Sequence, residues 1–306
     1  MKILIATEKP FAKAAVDGIA KIIEKGGFTL ELLENYTSSQ QLYDAVKEAN
    51  ALIIRSDKVT KEVVEAAPNL KIVVRAGAGY DNVDLEACSA KGIVVMNTPG
   101  QNANAVAELA IGMMIYMARN CFTPSSGKEL SGKRLGIHAY GSIGRLVALK
   151  GQGLGMSTYG HYRSADKSRI TVDNVTSVDS MEELYQNSDY ISLHVPAIPA
   201  NNGLVGASLL EKLPKGATII NTARKEIINQ EELMQVLEER ADLKYATDVP
   251  TENHAALVEK FGNRVYATPK KMGAQTSEAN INAGLAAANQ IVAFFKEGDK
   301  TYQVNK

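Results

Sequence analysis

Leu135-Gly136-Ile137-His138-Ala139-Tyr140-Gly141-Ser142-Ile143-Gly144 is the stretch on which the fold turns. Leu135 and Ile137 read as a strand, residues 139–144 as a tight small-residue turn, and Arg145 to Lys150 as the opening of a helix. Such a turn aims backbone N–H groups and the positive end of a helix at a pyrophosphate, so Tyr140, Gly141, Ser142, Ile143 and Gly144 become candidate dinucleotide contacts. Ala139 replaces the first glycine of the usual pattern, which an alanine tolerates if its φ stays negative. The turn lies in mid-chain, so a separate unit precedes it.

Working outward, the first hundred residues alternate apolar runs with amphipathic stretches: Ile3–Ala6, Phe11–Glu24, Ala51–Ile54, Val63–Ala67 and Ile72–Val74. A second series follows Gly132, with strands predicted at Arg134–His138, Met156–Tyr159, Tyr190–His194, Ala217–Asn221, Tyr245–Val249 and Val265–Ala267. That alternation predicts an α/β chain with two Rossmann-like or flavodoxin-like parallel-sheet domains. Between the series, Asn104 to Arg119 has Val106, Leu109, Ala110, Met113, Met114 and Met117 at helical spacing, a stripe read as core or subunit-interface packing rather than a promiscuous binding face. Glu278 to Lys296 is again helical and alanine-rich.

The chain has 306 residues, enough for two domains with their own cores, and 45% hydrophobic with 22% charged residues is ordinary for a soluble protein. Basic and acidic side chains balance at 34 each, so no net field draws nucleic acid or an anionic membrane, and phosphate recognition has to be local. Cys88 and Cys121 are too few for a disulfide framework or a four-cysteine zinc site; two reduced, buried thiols of a cytoplasmic protein are expected, with no metal. Met1 to Thr7 reads as a first strand rather than a leader, and no apolar run is long enough to span a membrane.

Arg75-Ala76-Gly77-Ala78-Gly79-Tyr80-Asp81-Asn82-Val83-Asp84-Leu85-Glu86-Ala87, then residues 92–99 and Val106-Ala107-Glu108-Leu109, resemble the D-2-hydroxyacid dehydrogenase family, and within it the phosphoglycerate dehydrogenases. The resemblance runs from about Ala51 to Glu297. It implies a substrate domain of residues 1–99 plus 274–306, a nucleotide domain of residues 100–273, and an active site in the cleft between them. It also implies a homodimer formed through the nucleotide domain and a small phosphorylated 2-keto or 2-hydroxy acid as substrate, in serine biosynthesis.

Carried over position by position, Asn221-Thr222-Ala223-Arg224 resembles the segment ending in the family's arginine. Arg224 would grip the substrate carboxylate with its planar donors, with Lys225 where the family has glycine. Thr222, Ala223, His194, Pro196 and Asp248 are implied cofactor contacts, Asp248 on the nicotinamide side. Glu252 is taken as the catalytic carboxylate although a gapless alignment puts Asn253 there, because only a carboxylate orients and raises a neighbouring proton donor. The family's histidine is replaced by Lys271, or by Lys270 in the other register; His138 and His194 are poor substitutes. A lysine donates a proton readily, but with an ordinary pKa of about 10.4 it is a weak base near neutrality, so reduction should outrun oxidation.

The same resemblance makes Arg55, Ser56 and Arg75 a pocket for the substrate's distal phosphate, with Gly77, Ala78 and Gly79 near its carboxylate. It leaves the contacts of Asp57 and Lys58 open. Where an acid should meet the adenosine ribose about 20 residues past the turn, the chain has Tyr162, Arg163 and Ser164, with His161 before them. NAD is the expected cofactor and NADP is possible. A hydroxypyruvate or glyoxylate reductase shares the scaffold without a phosphate pocket, and an NADH-sensing corepressor would explain the fold with weakened catalysis, against which Arg224 and Glu252 stand. The chain stops soon after the last helix and has a short, tryptophan-free loop before Gly132, from which a dimer insensitive to serine is expected.

Overall fold

The computed structural model describes residues 1–161 and 168–305. The chain separates into two compact units, residues 1–102 with 274–306 and residues 103–273. The break falls after Asn102 instead of after Pro99, because the turn through Gly100, φ +82°, closes before the next helix starts at Ala103.

In the first unit, β1 (Lys2–Thr7), β2 (Thr29–Glu34), β3 (Ala51–Ile54), β4 (Ile72–Arg75) and β5 (Val94–Asn97) form a sheet in the order β2-β1-β3-β4-β5. All its pairs are parallel, and the order is that of flavodoxin-like folds. Strands covered on both faces need continuous apolar runs, and Ile3, Ile5, Leu52, Ile53 and Ile54 are fully buried. The edge strand β2 mixes glutamates with the half-buried Leu30 and Leu33 and the exposed Leu32, so no buried-strand run marked it in the sequence. The helix Lys13–Lys25 buries Ala15, Ile19 and Ile23 at intervals of one turn. These pack on the closing helix Ser277–Glu297 through Ala283, Ala287, Ala288 and Ile291. A Cβ on Gly18 would lie 2.6 Å from Leu285 Cδ2, and one on Gly284 2.9 Å from Ile19 Cδ1. Glycine at these two points lets helices from opposite ends of the chain share one core.

In the second unit, β6 (Arg134–His138), β7 (Ser157–Gly160), β8 (Thr176–Ser177), β9 (Tyr190–Leu193), β10 (Thr218–Asn221), β11 (Lys244–Thr247) and β12 (Val265–Ala267) make a sheet in the order β12-β11-β10-β9-β6-β7-β8. Every pair is parallel. The winding reverses between β6 and β9, where a doubly wound sheet opens a crevice at the carboxyl ends of its strands. The helix Ala103–Ala118 buries Met113, Met114 and Met117 against Leu135, Ile137, Ile220 and Ala246, so the methionine stripe is core.

Cys88 is buried and Cys121 only half-buried, both as free thiols. The expectation of two buried thiols fails at Cys121 because Asn120, Cys121 and Phe122 take φ of +48°, +58° and +55°. This left-handed turn swings the chain off the helix end and leaves Sγ 3.6 Å from the Asn263 carbonyl. Among the described residues, no helix is long and apolar enough to cross a membrane.

Candidate active site

The mid-chain turn joins β6 to the helix Ser142–Gly153, which starts earlier than the expected Arg145 and has Gly141 as its N-cap. Ala139 has φ +80°, which overturns the negative φ expected of it. The chain has only Ala139 and Tyr140 in which to reverse between strand end and N-cap, and the reversal passes through the region that favours glycine. Gly144 is required by packing: a Cβ there would meet the Ala139 carbonyl oxygen at 2.4 Å and Ile137 Cγ2 at 2.8 Å. The buried Tyr140 hydroxyl donates to Asp173 at 2.8 Å, and Arg145 grips the same carboxylate through Nε at 2.7 Å and Nη2 at 2.8 Å. Arg145 holds the Asp173 carboxyl below the usual carboxylate range. Tyr140 therefore braces the turn with its side chain. Ala139→Gly relieves the strain and should stabilise the protein by about 1 kcal/mol, the cost of a non-glycine residue at this φ less glycine's extra chain entropy. Urea unfolding reads this directly, and a variant no more stable than the parent would show that the turn is unstrained.

In front of the turn lies a cavity of about 430 Å³ lined by His138, Ala139, Tyr140, Gly141, His161 and Pro196 among others. Among the described residues, no side chain caps the Gly141 helix end and a Cβ on Gly141 would meet nothing within 4 Å. The first-turn amides thus face open space of the kind a pyrophosphate fills, and the residues present fit a dinucleotide. Tyr162, Arg163 and Ser164, expected at the ribose, lie outside the described residues. His161 Nδ1 is 3.2 Å from the Val178 carbonyl oxygen.

His138 shares a 3.0 Å hydrogen bond with the Tyr185 hydroxyl. His194 is half-buried as a residue, yet both its ring nitrogens are shielded from solvent and have no hydrogen-bond partner among the described residues. Burial, with a smaller contribution from His138, lowers its pKa from 6.5 to about 3. A histidine kept neutral in the fold but free to protonate when unfolded costs stability as pH falls through that window. The loss contributed by His194 between pH 6.5 and about 3 should approach about 1.4 kcal/mol per pH unit. His194→Gln should lack this slope in urea unfolding at pH 7 and pH 4.5; parallel slopes in the two proteins would refute a neutral buried ring.

At the end of β10, the buried Asn221 staples its own loop: Nδ2 donates to the Arg224 carbonyl and Oδ1 accepts from the Ala223 N–H, each at 3.0 Å. Arg224 is half-buried, with Nη1 donating to the Ala223 carbonyl at 2.9 Å. Thr222 is buried with its hydroxyl unpartnered among the described residues. Glu252 is exposed and lines an open cavity of about 430 Å³ with Lys225, Glu226, Gln230 and Asn253. Asp248 is only 1% exposed. Its Oδ1 accepts from the Thr268 hydroxyl at 2.8 Å and the Met272 N–H at 2.9 Å, and its Oδ2 from the Gly273 N–H at 2.7 Å. The carboxylate expected at a nicotinamide also clasps the segment that carries Lys271. Lys270 and Lys271 are both exposed, and the clasp anchors the two amides immediately after Lys271.

In the first unit, Arg75 Nε donates to the Arg55 carbonyl at 3.0 Å, which brings the two expected phosphate ligands together. The Arg75 guanidinium lies over Gly77, φ +150°, where a Cβ would stand 1.5 Å from Nη1. Arg55 stacks on the Phe11 ring at 5.1 Å, points Nη1 at the Lys9 and Pro10 carbonyls, each at 3.4 Å, and donates Nη2 to Asn280 Oδ1 at 2.5 Å. Ser56 and Lys58 are exposed. Asp57 is buried and belongs to the scaffold: it accepts from the Glu8 N–H at 2.7 Å, the Tyr36 hydroxyl at 2.9 Å and the Arg55 N–H at 3.3 Å. The Ala78 carbonyl accepts from Asn97 Nδ2 at 2.6 Å, and Gly79 is half-buried. Phe11, Asn280 and the Asn221 staple carried no local sequence signal, since each matters only through its partner.

Residues 10–305 match the family described as D-isomer specific 2-hydroxyacid dehydrogenase, catalytic domain. D-3-phosphoglycerate dehydrogenase of Homo sapiens is 35% identical over 302 residues, 93% of this chain and 56% of that protein. The chain thus spans about half the length of that relative. Hydroxypyruvate reductase of Thermotoga maritima is 33% identical over 287 residues, 88% of this chain and 91% of its own. The crystal structure of NAD+-bound 3-phosphoglycerate dehydrogenase from Entamoeba histolytica is similar with a TM-score of 0.90 at 45% identity, covering 100% of this chain and 99% of that one. The two parallel sheets, the nucleotide turn and these matches place the chain in the D-isomer-specific 2-hydroxyacid dehydrogenase family of oxidoreductases.

Proposed function

We propose that the chain is an NAD-dependent D-3-phosphoglycerate dehydrogenase that interconverts 3-phosphoglycerate and 3-phosphohydroxypyruvate. The observation that carries this reading is the Arg55–Arg75 pair, joined through the Arg55 carbonyl, with the hydrogen bonds of the Arg55 guanidinium among the described residues going to neutral groups. A guanidinium so held keeps its full charge for an anion. The names of the human and Entamoeba histolytica relatives support the same substrate, and the NAD+ in the latter structure supports the cofactor.

In this reading the amides of Gly141, Ser142 and Ile143 hold the pyrophosphate, and Arg224 grips the substrate carboxylate and polarises the adjacent C2 carbonyl. A bound nicotinamide supplies or takes up the hydride. The Lys271 ammonium gives its proton to the C2 oxygen as negative charge develops there, and Glu252 orients that side chain. In the oxidative direction a neutral amine must accept the proton, which an ordinary lysine pKa of about 10.4 opposes near neutrality, so the enzyme works better as a reductase at pH 7. The proposed active form is a homodimer; its sedimentation mass tests this, and a tetramer at all concentrations would overturn it.

Steady-state assays with 3-phosphohydroxypyruvate and hydroxypyruvate against NADH and NADPH test the assignment. The expected result is a higher kcat/KM for the phosphorylated acid and for NADH. Equal values for the two acids would replace it with a hydroxypyruvate reductase, the reading favoured by the Thermotoga maritima relative, which matches over 91% of its own length.

A further inference from the structure

We propose that Asn280, in the first turn of the closing helix, is a specificity-determining residue that makes Arg55 selective for a phosphate dianion by holding its guanidinium with a neutral acceptor. The proposal rests on the phosphate reading of Arg55 given above. An arginine side chain loses rotamer freedom when a ligand fixes it, a cost avoided where the protein has already fixed it. Here it is fixed on three sides, by the Phe11 ring, the Lys9 and Pro10 carbonyls and Asn280 Oδ1. None of these groups is charged. Among the described residues no carboxylate forms an ion pair with Arg55; the buried Asp57, hydrogen-bonded by Glu8, Tyr36 and the Arg55 backbone, favours the charged guanidinium through space without pairing with it. At least two of the five guanidinium N–H groups remain for phosphate oxygens, enough for a bidentate contact.

The identity of residue 280 is the critical choice. Asparagine and aspartate have the same shape, but an aspartate would form a charge-assisted pair with Arg55 and cancel the charge that the phosphate needs. The amide keeps the geometry and leaves the charge. Its placement is rigid: the Thr276 side chain caps the helix by accepting from the Ala279 N–H at 3.1 Å, and Ala279 is buried beside it.

The test compares kcat/KM for 3-phosphohydroxypyruvate and hydroxypyruvate in the wild type, Asn280→Asp, Asn280→Ala and Arg55→Ala, with a melting curve for each. The ratio of the two values cancels any general loss of folded enzyme. Asn280→Asp should lower the preference for the phosphorylated acid by about tenfold or more, as Arg55→Ala does, because the guanidinium is neutralised in place. Asn280→Ala, which frees the side chain without cancelling its charge, should lower it by about threefold. A wild-type preference in Asn280→Asp, or in Asn280→Ala should the aspartate variant not fold, beside a reduced one in Arg55→Ala overturns the role of Asn280 and leaves the phosphate reading standing. An unaltered preference in Arg55→Ala removes the phosphate reading and this proposal with it.

Discussion

Lys271→Ala should lower kcat for reduction of 3-phosphohydroxypyruvate by roughly 10²–10⁴, the usual cost of a lost general acid, with little change in the affinity for NADH. The proton goes to an oxygen that becomes an alkoxide as hydride arrives, and a cationic donor both supplies the proton and stabilises the charge. The amides of Met272 and Gly273, held by Asp248, fix the backbone on one side of Lys271. The long, flexible side chain therefore starts from a fixed point. Lys271→His should restore part of the rate and move the best pH for oxidation downward, since imidazole is a competent base near neutrality and an ammonium is not. Full activity in Lys271→Ala with collapse in Lys270→Ala would transfer the role to the neighbouring lysine. Activity in both variants would remove lysine as the donor and leave a water held by Glu252.

Arg55→Ala should raise KM for 3-phosphohydroxypyruvate by about 10- to 100-fold while changing that for hydroxypyruvate far less. Removing one charged partner of a phosphate costs about 1.5–3 kcal/mol, and only the phosphorylated acid makes the contact. The loss should appear in KM rather than kcat, because the phosphate lies away from the reacting carbon and is bound equally in ground and transition states. Equal losses on both acids would assign Arg55 to the scaffold, holding Lys9 and Pro10 in place through its 3.4 Å contacts.

The sequence by itself determined that the chain is α/β and that a nucleotide turn follows β6, because parallel strands buried on both faces write continuous apolar runs and a strand-turn-helix writes small residues at fixed spacing. It also determined the family, since residues 75–87 and the Arg224 segment are contiguous and read without knowledge of their neighbours. The edge strand β2 escaped because half-exposed glutamates and leucines carry little periodic signal. Tertiary structure alone decided the rest. Ala139 takes φ +80° because the strand and helix on either side leave two residues for the reversal. Asp248 clasps its own loop because three hydrogen-bond donors from residues 268–273 converge on it at the end of β11. Asn280 meets Arg55 across 225 residues of chain because the closing helix packs on the sheet whose β3 leads into Arg55 and on the first helix. Local patterns specify elements and turns; which polar groups meet across a core is set by packing, and no spacing along the chain encodes it.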